Sequence, residues 1–332
     1  MNQKFIIAVD SGKFATKAQM RDKDSLLRVK FRTKVQKIST GLGQEIFTSG
    51  NTYRVEYNGK QYLLGDMVSE EKSSYQLSKN SQEHIISIYV AICQLLSKST
   101  HPIGFASVHL ACNVPINIYK SEEQKLAYQD AIRNNGQPIS ISVNGKAFTF
   151  RIQEIVLLPE ALGPLFERTA EYRTKRATII DIGGLNTSIL EANQLIPQFD
   201  QMTSSNHGIN MLRSKIADFF SSKYGMTITE NDAEQILRDK CLILNGKKQE
   251  ESSEIIETMF SEHVRSIVNF VFSRNMTFTN SMLVFIGGGS LLLSDLIQQQ
   301  FPSAMICEDP VFGNVRSYLK IGEAKWKSTS SQ

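Results

Sequence analysis

The stretch Phe5-Ile-Ile-Ala-Val-Asp10-Ser-Gly12-Lys-Phe-Ala-Thr16-Lys17 sets a short apolar run against an acid, a tight glycine turn and a returning strand. The pattern comes back 171 positions later, in Asp181-Ile-Gly183-Gly-Leu-Asn-Thr187-Ser188, at the end of the apolar run Ala177–Ile182. Asp, Gly and Thr hold the same offsets in both copies, and each copy predicts a strand–turn–strand hairpin. Such a turn can bind phosphate because successive backbone N–H groups point into one concavity. Glycine lets the chain come close or take positive φ. A strand-end Asp can hold hydrated Mg²⁺, which keeps several waters and favours one or two carboxylates plus phosphate. Lys17, on the returning strand, can reach phosphates as a point charge. Either hairpin alone also reads as an ordinary Gly turn capped by Asp. Two of them could grip a triphosphate from both sides.

Two further stretches carry chemistry. Phe285-Ile286-Gly287-Gly288-Gly289-Ser290 is a strand running into three glycines and then a helix, where a ligand could lie against the backbone at a helix N-terminus. Neither the GxGxxG spacing nor a GK[ST] phosphate loop is present, which disfavours a dinucleotide fold or a P-loop enzyme. Leu157-Leu158-Pro159-Glu160-Ala161 reads as the start of a helix with Pro at its first position and an acid in its first turn. The same Glu160 could orient a water against a γ-phosphate.

The 332 residues carry 37 Lys and Arg against 33 Asp and Glu, net +4, with 41% hydrophobic residues. That length and apolar content fit about two packed domains rather than a disordered charged tail. The charge excess is too small to argue for direct nucleic-acid binding. No run approaches the ~18 apolar residues of a membrane span, and Met1–Val9 lacks the form of a signal peptide. Cys93, Cys112, Cys241 and Cys307 are scattered, and read as reduced thiols in a cytoplasm rather than a disulfide frame or zinc site. The five histidines form no cluster.

Along the chain, strands are predicted at Phe5–Val9, Thr16–Arg21 and Leu27–Phe31. Hairpins are predicted around Asn58-Gly59 and Asn144-Gly145, and a buried strand at Ser107–Cys112. Helices are expected at His84–Leu96, Ser121–Arg133 and Glu160–Arg173. The second half repeats the scheme: strands Ala177–Ile182, Thr187–Ala192 and Leu195–Phe199, then helices Gly208–Tyr224, Glu230–Lys240 and Ser252–Phe272. Strand Leu283–Ile286 and helices Leu291–Gln299 and Val315–Glu323 follow, with a Ser-rich tail, Lys327–Gln332, expected to fray.

Taken in order, these elements resemble the actin superfamily of ATPases, and within it the bacterial plasmid-segregation actins of the ParM type. Asp10–Lys17 is similar to the first phosphate motif, Glu160–Leu165 to the first connecting helix and Asp181–Ser188 to the second phosphate motif. Phe285–Ser290 is similar to the adenosine motif, and Phe312–Gly322 to the second connecting helix. The resemblance implies an α/β fold of two domains, each a duplicated mixed sheet wrapped by helices, with a nucleotide in the cleft between them. Domain I would be 1–172 plus 309–332, and domain II 173–308.

It also implies that Asp10 and Asp181 hold Mg²⁺ through water and that Glu160 acts on the attacking water. The nucleotide would lie against Ser11, Gly12, Lys13, Phe14 and Lys17 of the first hairpin and Gly183, Gly184, Leu185 and Asn186 of the second. Gly208 would face the ribose, and Gly287, Gly288 and Gly289 the adenosine. The helix near Glu230–Lys240 would flank the base. The chain departs from the family pattern at Ser188, where an acid is common, and at Leu185, where Thr is common. The function implied is an ATP-dependent filament, with GTP left open, that separates plasmid copies through a DNA-bound adaptor without touching DNA or membrane itself. The tail Ala324–Gln332 shows no amphipathic face for a membrane. The rival is a monomeric small-molecule kinase of the same superfamily, which would need an Asp base aimed at a substrate hydroxyl. No Asp here has a motif context demanding that role.

Overall fold

A computed structural model of the chain describes residues 4–39, 48–70, 81–101 and 104–327. The Ser-rich tail beyond Lys327 lies outside the described residues. The chain divides into two compact units, Met1–Glu167 with Asn314–Gln332, and Arg168–Gly313. Both are mixed sheets flanked by helices.

The first unit opens with β1 (Lys4–Ser11), β2 (Ala15–Asp22), β3 (Ser25–Arg32) and β4 (Val35–Ile38), followed by β5 (Thr52–Tyr57) and β6 (Lys60–Gly65). Helix α1 (Gln82–Lys98), strand β7 (Phe105–Val114), helices α2 (Ile116–Tyr119) and α3 (Glu122–Ile132), and strands β8 (Ile139–Val143) and β9 (Lys146–Pro159) complete its first part. The second unit runs α4 (Thr169–Tyr172), β10 (Arg176–Ile182), β11 (Thr187–Asn193), β12 (Ile196–Ser205), α5 (Ile209–Tyr224) and α6 (Glu230–Asp239). It continues through β13 (Leu242–Leu244), β14 (Lys247–Gln249), α7 (Glu250–Ser273), β15 (Met282–Ile286), α8 (Gly288–Leu292), α9 (Ser294–Gln300) and β16 (Met305–Ile306). Helix α10 (Gly313–Lys327) returns the chain to the first unit.

The nine-stranded sheet has the order β3-β2-β1-β7-β9-β8-β5-β6-β4, and the five-stranded sheet β12-β11-β10-β15-β16. In both, an antiparallel three-strand meander is followed by two strands parallel to its first strand. The internal repeat in the sequence is thus a repeat of topology. Strand alternation puts Phe5, Ile7 and Val9 on the core face, where Ile86, Tyr89 and Ile92 of α1 cover them. In the second sheet Ile180 and Phe285 face Leu212 and Ile216 of α5 and Val264 and Ile267 of α7.

Local chemistry sets most boundaries. Ser81 caps α1 by accepting from the His84 N–H, and Thr229 and Asp232 form a reciprocal capping box at α6. Asn58-Gly59 and Asn144-Gly145 take positive φ at both turn residues, as two-residue hairpins require. A third such turn, Asn245-Gly246, joins β13 to β14, three-residue strands too short to show a period of two.

One expected element is absent. The helix predicted over Glu160–Arg173, with Pro159 at its first position, does not form. Pro159 is the last residue of β9, and residues 160–168 are a run of turns before the single helical turn of α4. Ala161 and Gly163 have φ of 62° and 51°, and Pro164 disfavours helical geometry in the residue before it. Helix α10 satisfies the backbone instead. The Gly163 N–H donates to Asn314 Oδ1 at 3.0 Å, Ser317 donates to the Gly163 carbonyl at 2.6 Å and accepts from the Phe166 N–H at 3.1 Å, and the Tyr318 hydroxyl donates to the Pro159 carbonyl at 3.0 Å. The predicted helix Leu291–Gln299 is also interrupted: α8 ends at Leu292, and α9 begins at Ser294.

His263, on the core face of α7, gives the fold a pH dependence. Burial, with His207 and Lys215 as positive neighbours, pushes its imidazole down to about 4 from 6.5, and the His207 backbone offsets this only in part. The folded state therefore resists a proton that the unfolded chain accepts, so stability is full above pH 6.5 and falls as pH drops toward 4. Near pH 5 the loss is about 2 kcal/mol. Urea unfolding at pH 7.5 and pH 5 should show that loss in the parent and a smaller one in His263→Gln. An equal loss in the variant would assign it to other groups.

Candidate functional site

In each unit the candidate residues gather at the carboxyl ends of the parallel strands, where ligands bind in open α/β sheets. Register places them. Val9 pairs with Cys112, and Asn113 and Val114 pair with Leu158 and Pro159, so Asp10, Asn113 and Glu160 follow one another across three strand ends. In the second unit Asp181 pairs with Ile286, directly before the triple glycine.

The two hairpins have the same construction. The Gly12 N–H donates to the Ala15 carbonyl at 3.2 Å, and the Gly183 N–H to the Asn186 carbonyl at 2.9 Å. A Cβ on either glycine would stand 2.9 Å from that same carbonyl oxygen, so closure of the turn excludes larger residues. The tips are Lys13-Phe14 and Gly184-Leu185. Phe14, Gly184 and Leu185 direct their N–H groups to no carbonyl or side chain among the described residues. Thr16 and Thr187, at equal offsets, are buried beneath the tips and reach past the third strand of each meander: Thr16 to the Thr33 hydroxyl at 2.9 Å, Thr187 to the His207 carbonyl at 2.7 Å.

The hairpins differ in charge. Asp10 lies opposite Lys17, whose ammonium is 3.1 Å from Asp10 Oδ2, while Asp181 lies opposite Ser188. Asp10 is buried and Asp181 half-buried. Among the described residues no group of three or more His, Cys, Asp and Glu is gathered for a metal ion. Either carboxylate could thus hold a metal only together with water or phosphate oxygens.

Beneath Asp10 lies a polar layer that motif reading missed. Asn113 Oδ1 accepts from the Ser11 N–H at 2.8 Å, and the Ser11 hydroxyl is 3.1 Å from that of Ser87. His84 Nε2 is 3.1 Å from the hydroxyl of Tyr128, which is fully buried. Burial raises the Tyr128 phenol well above its ordinary value, and Cys112, Glu160 and Asp10 add to the shift. Glu160 and Asp10 thus both act on one buried phenol, and register puts them at the ends of β9 and β1 in the same sheet. The Glu160 carboxylate is carried by a turn fastened to α10 rather than by a helix. The sequence hint of this layer is Asn113, the one amide in β7, near the strand's end.

The glycines of the second unit serve the chain's own packing. A Cβ on Gly287, at φ 87°, would meet Asp181 Oδ1 at 2.4 Å, and one on Gly289 would meet the Ile182 side chain at 2.3 Å. Gly208 packs on Gly184 and Leu185, with 2.4 Å from its would-be Cβ to the Gly184 carbonyl. Of the three consecutive glycines, Gly288 alone would point a Cβ into open space. Helix α8 is five residues long, which leaves little of the expected helix dipole.

Residues 8–163 match the family model described as the actin-like proteins N-terminal domain. The architecture also matches solved structures along nearly the whole chain. A 15-stranded ParM filament from Clostridium botulinum aligns with TM-score 0.76 and 18% identity, covering 98% of this chain and 100% of that one. This is an actin-like fold. The Alp12 filament structure aligns with TM-score 0.71 and 24% identity over 97% of this chain and 99% of that one. The archaeal actin homolog Ta0583 in complex with ADP aligns with TM-score 0.72 and 16% identity over 97% and 99%. No curated protein sequence matches the chain significantly. Within the actin-like fold, the hairpins of Asp10 and Asp181 are the equivalent turns of a duplicated sheet. Among the described residues no helix is long and apolar enough to cross a membrane, and Cys93, Cys112, Cys241 and Cys307 are free thiols.

Proposed function

We propose that this chain is a nucleotide-dependent, filament-forming ATPase that moves plasmid DNA through a DNA-bound adaptor. The observation that carries the reading is the pair of matching Asp–turn–Thr hairpins, one at the strand ends of each unit. The free N–H groups at their tips suit phosphate oxygens, and Asp10 and Asp181 suit the water shell of Mg²⁺. Magnesium would offset phosphate charge, and Lys17, released from Asp10, would supply a further positive charge. The ADP complex of the archaeal homolog and the ParM and Alp12 filaments support the same reading.

Charge supports self-association. The unit Met1–Glu167 with Asn314–Gln332 holds 24 Lys and Arg against 16 Asp and Glu, net +8, and Arg168–Gly313 holds 13 against 17, net −4. Opposite net charge on the two units favours contact between unlike units of neighbouring copies, and a head-to-tail contact that does not close propagates as a filament. Nucleotide can drive assembly only by binding the assembly-competent state more tightly.

Sedimentation with ATP, ADP and no nucleotide, at rising protein concentration, tests the proposal. A critical concentration lower with ATP than with ADP is expected, rising as salt screens the contact. Protein that never pellets, yet consumes ATP when a hydroxyl compound is supplied, would establish the kinase instead.

A further inference from the structure

The tip of the first hairpin is held from outside by a buried group of charges. The Phe14 carbonyl accepts from the Thr33 N–H at 3.0 Å and from Arg32 Nε at 3.2 Å. The Arg32 guanidinium also lies over the Phe14 ring, 3.7 Å from its centroid. Beyond it, Arg32 Nη2 donates to Glu70 Oε2 at 2.8 Å, and Lys34 Nζ donates to Glu70 Oε1 at 3.0 Å. Lys34 Nζ also lies 3.4 Å from the Asp66 carbonyl.

These side chains are 16% (Arg32), 9% (Glu70) and 6% (Lys34) exposed. Burial works to raise the Glu70 carboxyl, but the Lys34 hydrogen bond and the Arg32 charge hold it below its ordinary value. Burying three charges costs desolvation, and such groups are often no more stabilising than apolar residues of equal size. What this group gives is direction: a planar guanidinium fixed on one side by a carboxylate and on the other by an aromatic ring cannot rotate freely. The peptide after Phe14 is held in turn, and the Phe14 N–H offered to phosphate in the nucleotide-binding reading belongs to that same two-residue turn.

We propose that Arg32 is a positioning residue for the nucleotide, with Glu70 as its anchor: the pair presets the Lys13-Phe14 turn for phosphate. The inference rests on the nucleotide-binding reading above. Without the bracket, the free turn samples other shapes, and binding must supply the ordering, so apparent affinity falls by the fraction of turns left competent. Arg32→Ala should weaken ATP binding roughly 10-fold or more, since a fraction competent of about one in ten lowers affinity tenfold. Turnover of the loaded protein should change much less, because Arg32 acts through Phe14 and not on the reacting atoms.

The test is calorimetric titration of Mg-ATP into the parent, Arg32→Ala, Glu70→Ala, the double variant, Phe14→Leu and Glu70→Gln, each checked for a cooperative thermal transition. Support requires weaker binding in Arg32→Ala and Glu70→Ala, a double variant no weaker than the worse single one, and KM raised with kcat nearly unchanged. A merely structural role would lower melting temperatures yet leave affinity below the transition untouched. If Arg32→Ala does not fold, Phe14→Leu and Glu70→Gln give the same reading with the charges or the apolar packing largely kept. Folded variants that bind like the parent overturn the inference and leave the nucleotide-binding reading standing. A parent that binds no nucleotide overturns both.

Discussion

Glu160→Ala is expected to bind ATP and assemble like the parent, but to hydrolyse it about 10²–10⁴-fold more slowly, the usual contribution of a positioned base. The expectation follows from placement. Glu160 comes directly after Pro159, whose carbonyl is held by Tyr318, and directly before Ala161 at φ 62°. A residue between a strand end and a left-handed turn, on backbone fastened to α10, has little freedom to wander. Glu160 is buried, and register puts it at the end of β9, two strands from the end of β1 that carries Asp10. It therefore stands in the same row of strand ends as the hairpin proposed to hold phosphate, and not in open solvent. Filaments of the variant should outlive those of the parent after nucleotide is exhausted, because turnover sets their lifetime in the proposed cycle. Phosphate release and light scattering recorded on one sample measure both effects. Normal phosphate release would remove Glu160 from the chemistry.

Glu160 also shows where sequence reasoning stops. Its neighbourhood is legible, since the apolar residues before Pro159 read as a strand leading into it. Its local structure was misread because good first-turn chemistry outweighed Gly163-Pro164, a breaker printed four residues later. The partners that replace the helical bonds, Asn314, Ser317 and Tyr318, lie more than 150 positions away, and no local pattern points to them. The strands and most helices were readable for the opposite reason: their periodicity, caps and Asn-Gly turns are local. So was the duplication, because Asp10, Gly12 and Thr16 and their counterparts do the same work within six residues of one another. The roles of Gly287 and Gly289 were only half legible. Three glycines after a strand signal close approach, but what approaches is Ile182 and Asp181 of the neighbouring strand, set by sheet order. Arg32, Lys34 and Glu70 carry no motif: the meander brings Arg32 to Phe14, and Glu70 arrives from beyond β6.

Asp10→Ala and Asp181→Ala should each cost about 10–100-fold in magnesium-dependent turnover, the range seen when a group holding a metal through its outer shell is removed. The two losses should differ in kind, because Asp10 lies opposite Lys17 and Asp181 opposite Ser188. Removing Asp10 takes away the carboxylate 3.1 Å from Lys17, so the charge at the first hairpin becomes more positive. That charge can stand in for part of the metal's in ATP binding, though it cannot order the metal's water. Asp10→Ala is therefore expected to keep much of its affinity for ATP when magnesium is chelated, and to lose turnover. Across its hairpin Asp181 faces Ser188 where Asp10 faces Lys17, and Asp181→Ala should lose magnesium-dependent affinity as well. Titrating ATP into both variants with magnesium and with EDTA separates the cases. Adding Lys17→Ala to Asp10→Ala should then abolish the metal-independent binding. Single variants that bind and hydrolyse like the parent would mean that the paired hairpins do not hold the metal, and the proposed site would have to be sought elsewhere.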